Sequence, residues 1–321
     1  MARSVLYKEP SRADELGVHS LDHFALAVPN LEAARRFYSA VGLELKSDDN
    51  SLGIYTAGSP QKWGLLMEGS LKRLHHLSFG VFEDDLNRFK RHIEKLGHRI
   101  VDPPRAMRAH AEGLWIRDPD GTLIELKIAA KTSPDDKSHA ELISSAPGKA
   151  GAPKRSQAPR ITPSRLAHCL TFTRDVSAAI SFYAQVLGLR LSDRSGSDIA
   201  FMHGIHGSDH HLIAFARSNA PGLHHCCWDV RSLSEIGLGA MQMASLGFTQ
   251  GWGLGRHVLG SNYFHYVRDP WGSYSEYSCD MDYIPVGETW PAADHDADDA
   301  FYIWGPKPPA DWTHNYEADQ R

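Results

Sequence analysis

Residues 21–45 read LDHFALAVPNLEAARRFYSAVGLEL, and residues 166–191 answer them with LAHCLTFTRDVSAAISFYAQVLGLRL. Each begins as an apolar strand and turns at Asn30 or Asp175, a residue type that caps helix N-termini. An amphipathic helix carrying a Phe-Tyr pair follows, and Gly42 or Gly188 stands where a helix stops. The likeness continues downstream. LKRLHHLSFGVFEDDLNRFKRHIEKLGHRI (71–100) is matched by APGLHHCCWDVRSLSEIGLGAMQMASLGFTQ (220–250), and GLWIRDPDGTLIELKI (113–128) by FHYVRDPWGSYSEYSCD (264–280). One strand-helix-strands unit therefore recurs four times, two per half. The expected fold is α+β: two domains, each of paired βαβββ modules forming an open curved sheet. Antiparallel strands, joined by tight turns at DPDG and DPWG, are expected with the helices on one face.

The expected division is a duplicated, non-catalytic N-terminal domain over 1–130, a low-complexity linker over 131–163 and a C-terminal catalytic domain over 164–321. The linker region is rich in Ser, Pro, Ala, Gly and Lys, with one short helical stretch expected at SHAELISS, residues 138–145. Beyond Pro285, the aromatics Trp290, Phe301, Tyr302, Trp304 and Trp312 are too many for a disordered tail and imply packing over a domain.

The 321 residues suit two domains at roughly 150 each. A net charge of −5, with no sustained basic run, argues against nucleic-acid and membrane partners. The first residues, MARSVLYKEPSRADELG, lack the apolar core of a secretion signal, so a cytoplasmic protein is expected. Cys169, Cys226, Cys227 and Cys279 show neither a disulfide framework nor a zinc spacing, and are expected to be packed, reduced thiols.

The chain holds 19 histidines, and the repeats sort them. Aligned, His23 falls with His168, His76 with His225, and Glu125 with Glu276. Two imidazoles and one carboxylate on one face of a metal leave the opposite face open, which is how non-haem Fe(II) takes substrate and oxygen together. Strand neighbours alternate between faces, so only one residue of each His-His doublet should look at a given site. His75, His210 and His224 are expected to face away.

The motifs LAHCLTFTRDVSAAISFYAQVLGLRLSD, DHHLIAF, GLHHCCWDV and GRHVLGSNYFHYVRDPWGSYSEYSCDMDYI resemble those of the type I extradiol ring-cleavage dioxygenases of the vicinal oxygen chelate superfamily. The resemblance covers almost the whole chain outside the linker. It implies His168, His225 and Glu276 as ligands of Fe(II), with Mn(II) the other candidate ion. It further implies His211 as the histidine that moves protons to the oxygen intermediate, and His257 and Tyr266 as the pair that hydrogen-bonds the substrate oxygens. The expected activity is extradiol cleavage of a substituted catechol with O2 in aromatic catabolism, giving a 2-hydroxymuconic-semialdehyde-type product, by a homo-oligomer.

Two alternatives stand beside it. One is an oxygen-independent isomerase or lyase of the same superfamily, preferring Zn, Ni or Co; the other is a ligand-sequestering module without a complete metal set. His211, His257 and Tyr266 argue against the first. The N-terminal set His23, His76 and Glu125 keeps all three ligand types, but Trp115 stands where Tyr266 does, and Met107 or its neighbours where His257 does. An inherited relic is the expectation there. Relatives that cleave homoprotocatechuate place arginines shortly before a Trp-Gly in the tail, as the resemblance suggests; DDAFYIWGPK has Ala300 and Phe301 instead, favouring an uncharged or aromatic ring substituent.

Overall fold

The computed structural model describes residues 10–48, 50–105, 107, 113–138, 140, 141 and 145–319. In the N-terminal half the chain runs through β1 (Ser20–Val28), α1 (Leu31–Val41), β2 (Glu44–Asp48), β3 (Ser51–Tyr55), β4 (Lys62–Glu68), β5 (Arg73–Val81), α2 (Leu86–Lys95), β6 (Leu114–Arg117) and β7 (Leu123–Ile128). The C-terminal half repeats the plan with β8 (Arg165–Thr173), α3 (Val176–Leu187), β9 (Arg190–Ser195), β10 (Ile199–His203), β11 (Ser208–Asp209), β12 (Ile213–Arg217), β13 (Gly222–Asp229), α4 (Leu233–Ser245), β14 (Gly251–His257), β15 (Tyr263–Arg268) and β16 (Tyr274–Cys279). The tail adds β17 (Tyr283–Ile284), β18 (Ala293–Asp294), α5 (Ala297–Ala300) and β19 (Tyr302–Trp304).

The first sheet has the order β2-β3-β4-β1-β5-β7-β6, and the second β18-β9-β10-β12-β8-β13-β16-β15-β14-β19. The sheets are mixed, not antiparallel as the turn signals suggest. β4 lies parallel to β1, β7 to β5, β12 to β8 and β16 to β13. In the modules that begin with β1, β8 and β13, a helix crossover returns the chain in the direction of the first strand, and two reversals then bring the last strand beside it; after α2 the strand before β6 is reduced to the single bridge of Val101 with Trp115. The first strands of paired modules, β1 with β5 and β8 with β13, meet antiparallel at the centre of each sheet.

Local chemistry sets the helix ends. Asn30 and Asp175 accept from the backbone N–H of Ala33 and Ala178, at 2.8 and 3.0 Å. Gly42 and Gly188 close α1 and α3 in the left-handed region, at φ 103° and 72°. A Cβ at either would also strike backbone, the Ile161 carbonyl oxygen or that of Leu16. Each helix thus ends beneath the strand of chain leading into the other half.

One apolar core runs through both halves. Phe24 meets Trp228 edge-on, Phe37 meets Phe248, and Tyr277 Oη donates to the Val41 carbonyl at 2.8 Å. A buried ion pair adds a polar tie: Lys72, 1 % exposed, reaches Glu317, 3 % exposed, at 2.5 Å. The same carboxylate accepts from the backbone N–H of Leu74 and Leu223, joining β5, β13 and the tail. Part of the linker interval packs as well. The Thr132 and Ser133 N–H groups donate to Ser20 Oγ, Ile161 is buried, and residues 155–157 form a short 3-10 turn. The helical stretch expected at 138–145 lies partly outside the described residues. No helix among those described is long and apolar enough to cross a membrane.

Candidate active site

Three strands place the candidate ligands. Register sets Cys227 of β13 opposite His168 of β8 on one side and Glu276 of β16 on the other. His225, two residues before Cys227, shares its face. His168 Nε2 lies 3.2 Å from His225 Nε2 and 3.3 Å from Glu276 Oε2, and His225 Nε2 lies 3.5 Å from the same oxygen. All three residues are buried. Donors held at about 2.1 Å in adjacent positions around one ion stand roughly 3.0–3.4 Å apart, so the triangle has the size a metal requires. Glu276 Oε2 is buried with no hydrogen-bond donor among the described residues, while Oε1 accepts from Asn262 Nδ2 at 3.1 Å. An unpaired buried carboxylate oxygen facing two imidazoles calls for a cation.

Cys227 is a competing ligand by position, with its sulfur within 4.8 Å of donors on His168 and Glu276. Its chemistry favours His225. Burial, then the nearby Glu276 charge, pushes the Cys227 thiol well above its usual range, so it stays protonated beside the carboxylate.

The doublets depart from strict strand alternation. The pairing of β13 with β8 steps from Leu223 to His225, and that of β5 with β1 from Leu74 to His76. His224 and His75 are thus the extra residues of β-bulges, and each meets its successor directly. His224 Nδ1 lies 2.7 Å from His225 Nδ1, and His224 Nε2 lies 2.8 Å from the Trp312 carbonyl. A carbonyl only accepts, so His224 Nε2 carries the proton. Burial lowers the His224 pKa to about 4, leaving Nδ1 bare to accept from His225 Nδ1–H. His225 Nε2 is then a lone pair aimed at the other two ligands. His224, expected to face away, instead borders the cavity because of the bulge, and it fixes the tautomer of His225.

His211 is backed in the same way. Its ring centroid lies 4.1 Å from that of His168, and its Nδ1 lies 3.1 Å from His210 Nδ1. His210 Nε2 meets Asp193 at 2.9 Å. Burial alone would raise the Asp193 carboxyl, but hydrogen bonds from His210, His295 and Trp290 outweigh it and hold the pKa at about 2. Burial, reinforced by the neighbouring histidines, sets His211 well below the usual imidazole range. Sequence reasoning missed Asp193, and no local motif marks it.

On the opposite wall, Tyr266 of β15 lies across from Glu276 in register. His257 Nδ1–H donates to the Phe301 carbonyl at 3.0 Å, leaving Nε2 to accept from Tyr266 Oη–H at 2.9 Å. Burial raises the Tyr266 hydroxyl well above its usual value and lowers His257. His168, His225, Glu276, His211, His257 and Tyr266 therefore line one cavity of about 870 Å³. Leu170, Ile199, Phe201, Leu259 and the tail residues Phe301 and Trp312 supply apolar wall, and Ala300 borders it. The two arginines at this cavity are paired, Arg174 with Asp120 and Arg217 with Asp198.

His23, His76 and Glu125 of the N-terminal half also converge, all buried and with donor atoms within 4.8 Å of one another. Trp115 lies across from Glu125 in register, the place Tyr266 holds beside Glu276. Met107 is described, but residues 106 and 108–112 around it lie outside the described residues.

The chain is 49% identical over 309 residues, 96% of each chain, to metapyrocatechase 2 of Cupriavidus necator. Among solved structures it resembles the Mn(II)-bound glyoxalase of Novosphingobium aromaticivorans, at TM-score 0.75 and 23% identity over 92% of this chain and 94% of that one. It also resembles the 2,2',3-trihydroxybiphenyl 1,2-dioxygenase of Sphingomonas wittichii strain RW1, at TM-score 0.70 and 23% identity over 91% of this chain and 100% of the other; at this identity the two structures speak for the fold alone. The model of the Glyoxalase/Bleomycin resistance protein/Dioxygenase superfamily matches residues 20–126 and again 165–277, and the chain belongs to that superfamily.

Proposed function

We propose that this protein is an extradiol dioxygenase that opens the ring of a substituted catechol with O2, inserting both oxygen atoms to give a 2-hydroxymuconic-semialdehyde-type product. The observation that carries the reading is the orphaned Glu276 oxygen, 3.3–3.5 Å from the Nε2 atoms of His168 and His225, in an apolar cavity that also presents His211, His257 and Tyr266. His168, His225 and Glu276 would hold a divalent ion, Fe(II) in this reading. When bound, that ion supplies Lewis acidity toward the catechol oxygens and an electron path from ring to O2.

The chain's own groups manage protons and water. A catechol must lose a proton to chelate. Tyr266 Oη, already donating to His257 Nε2, can accept from a catechol hydroxyl and pass a proton on to His257. The Phe301 carbonyl keeps the His257 Nδ1 proton in place and so leaves Nε2 as the receiving atom. His211 can take a proton at Nε2 while passing its Nδ1 proton to His210, where the ionised Asp193 stabilises the imidazolium. Reversal returns the proton to an oxygen atom as the O–O bond breaks. The apolar walls exclude water from both steps.

With the cavity's arginines paired and Ala300 and Phe301 at its border, an uncharged or aromatic substituent is favoured over a carboxylate. The test is oxygen uptake by Fe(II)-loaded protein with catechol, 3-methylcatechol, 3-phenylcatechol and homoprotocatechuate, alongside absorbance of the yellow product. Uptake lost with the metal in Glu276→Ala, but lost with the metal retained in His211→Phe, is expected. No uptake with any catechol despite bound iron would refute the activity. Homoprotocatechuate turned over well above the other three would refute the substituent preference alone.

A further inference from the structure

The N-terminal half repeats the ligand geometry closely enough to carry a metal of its own. His23 Nε2 and His76 Nε2 stand 3.3 Å apart, against 3.2 Å for His168 and His225. Ser78 lies opposite both His23 and Glu125 in register, as Cys227 lies opposite His168 and Glu276. Ser78 Oγ–H donates to Glu125 Oε2 at 2.6 Å and so orients the carboxylate.

The groups behind the ligands are arranged for a cation. His23 Nδ1 meets Asp22 Oδ2 at 2.7 Å, a carboxylate–histidine pair of the kind that backs metal-bound imidazoles. With that proton at Nδ1, His23 Nε2 is a bare lone pair facing His76 and Glu125. His76 Nδ1 lies 2.7 Å from His75 Nδ1. When His76 is the donor of that bond, its Nε2 is bare too, and two lone pairs and a carboxylate close on one point.

We propose that His23, His76 and Glu125 form a second divalent-metal site that is structural, not catalytic. Its chemistry is two imidazoles and one carboxylate, suited to ions of the Mn(II) to Zn(II) series. Trp115, fully buried with its ring centroid 5.0 Å from that of His76, occupies the place where the other half has Tyr266. By register, Lys62 stands where the other half has His211, since Gly64 pairs with Phe24 as Ile213 pairs with Cys169. A bulky indole and an ammonium replace the two groups that would handle substrate protons. An ion here would instead tie β1, β5 and β7 together at the centre of the first sheet.

The two sites differ in which imidazole has its tautomer anchored: His225 in one, through His224, and His23 in the other, through Asp22. The Trp312 carbonyl fixes His224 and, through it, keeps His225 Nε2 bare. His75 has no such carbonyl anchor among the described residues, so the His75–His76 pair can reverse, letting His76 Nε2–H donate to His23. The N-terminal pair can therefore satisfy itself without an ion, as the C-terminal pair can through His168, whose Nδ1 has no partner among the described residues to hold its proton there.

The test is stoichiometry of the full chain, stripped of metal and dialysed anaerobically against Co(II), with cobalt counted by mass spectrometry and its visible spectrum recorded. Two ions per chain are expected for the natural sequence. One should remain in His225→Ala/Glu276→Ala, with the spectrum of the N-terminal site alone, and one in His76→Gln/Glu125→Gln, with the other spectrum. Circular dichroism checks that each variant is folded. One ion in the natural sequence, lost completely in folded His225→Ala/Glu276→Ala, would overturn the proposal. The result does not depend on oxygen uptake, so the N-terminal site and the catechol reading stand or fall separately.

Discussion

Replacing His224 by Phe removes the link between the tail and the candidate iron ligand while keeping aromatic bulk against Phe172, Tyr274 and Trp312. Two hydrogen bonds disappear, 2.7 Å to His225 Nδ1 and 2.8 Å to the Trp312 carbonyl. Their consequences differ. Without an acceptor at Nδ1, His225 no longer holds the tautomer that leaves Nε2 bare, and losing such a partner typically weakens metal binding about 10–100-fold, or about 1.4–2.7 kcal/mol. The stranded Trp312 carbonyl costs about 1–3 kcal/mol of fold stability. Asn at 224 separates the two effects, because its side-chain oxygen can stand near the place of Nδ1 but cannot reach Trp312. The assay is the Fe(II) concentration giving half-maximal catechol-dependent oxygen uptake, with urea unfolding of the metal-free chain measured in parallel. His224→Phe should need about 10–100-fold more iron. His224→Asn should stay within a fewfold of the natural chain, and both should lose similar stability. Iron dependence unchanged in the Phe variant, or impaired equally in both, would refute the tautomer argument.

Two further outcomes concern stability. Glu317→Ala strands the buried Lys72 ammonium and the Leu74 and Leu223 N–H groups, and should lower the urea-unfolding free energy by about 3–5 kcal/mol, more than Glu317→Gln does; a loss under 1 kcal/mol would show the pair to be solvated. Burial lowers His19, His203 and His265 to about 4, so between roughly pH 6.5 and 4 the unfolded chain binds more protons and stability falls with acidification, levelling below the folded values. His265 Nδ1 is buried without a partner, so His265→Phe sacrifices no bond there and should remove roughly 3 kcal/mol of that acid loss; an unchanged pH profile would show His265 to be ordinary in the folded state.

The sequence made some of this legible and hid the rest for physical reasons. Capping residues, the glycines after α1 and α3, and the aligned His, His and Glu positions are all local or repeated signals, and the folded chain brings both ligand sets together. Strict alternation turned His224 and His210 away from the metal, and His210 does stand behind His211, but His224 borders the cavity, because alternation cannot foresee a bulge that lets neighbouring rings touch. Nor could it foresee their anchors. The Trp312 carbonyl is 88 residues from His224, and a backbone oxygen leaves no mark in a side-chain pattern. Asp193 and His210 sit 17 residues apart on either side of β10, with no fixed spacing to betray them. The mixed sheets escaped for a similar reason: hairpin signals identify neighbours joined by turns, whereas β1 finds β4 only after a helix and two other strands.

The tail's contacts also govern when the site can be completed. During synthesis the chain emerges N-terminus first, and every strand of the two large sheets except β19 is available before residues 301–317 leave the ribosome. Until then the Lys72 ammonium has no counterion from Glu317, the roof over the cavity lacks Phe301 and Trp312, and His224 has no carbonyl to set its proton. A nascent chain therefore reaches a nearly finished scaffold in which His225 is not yet held in its binding tautomer, and metal capture by the candidate ligands would wait for residues 301–317.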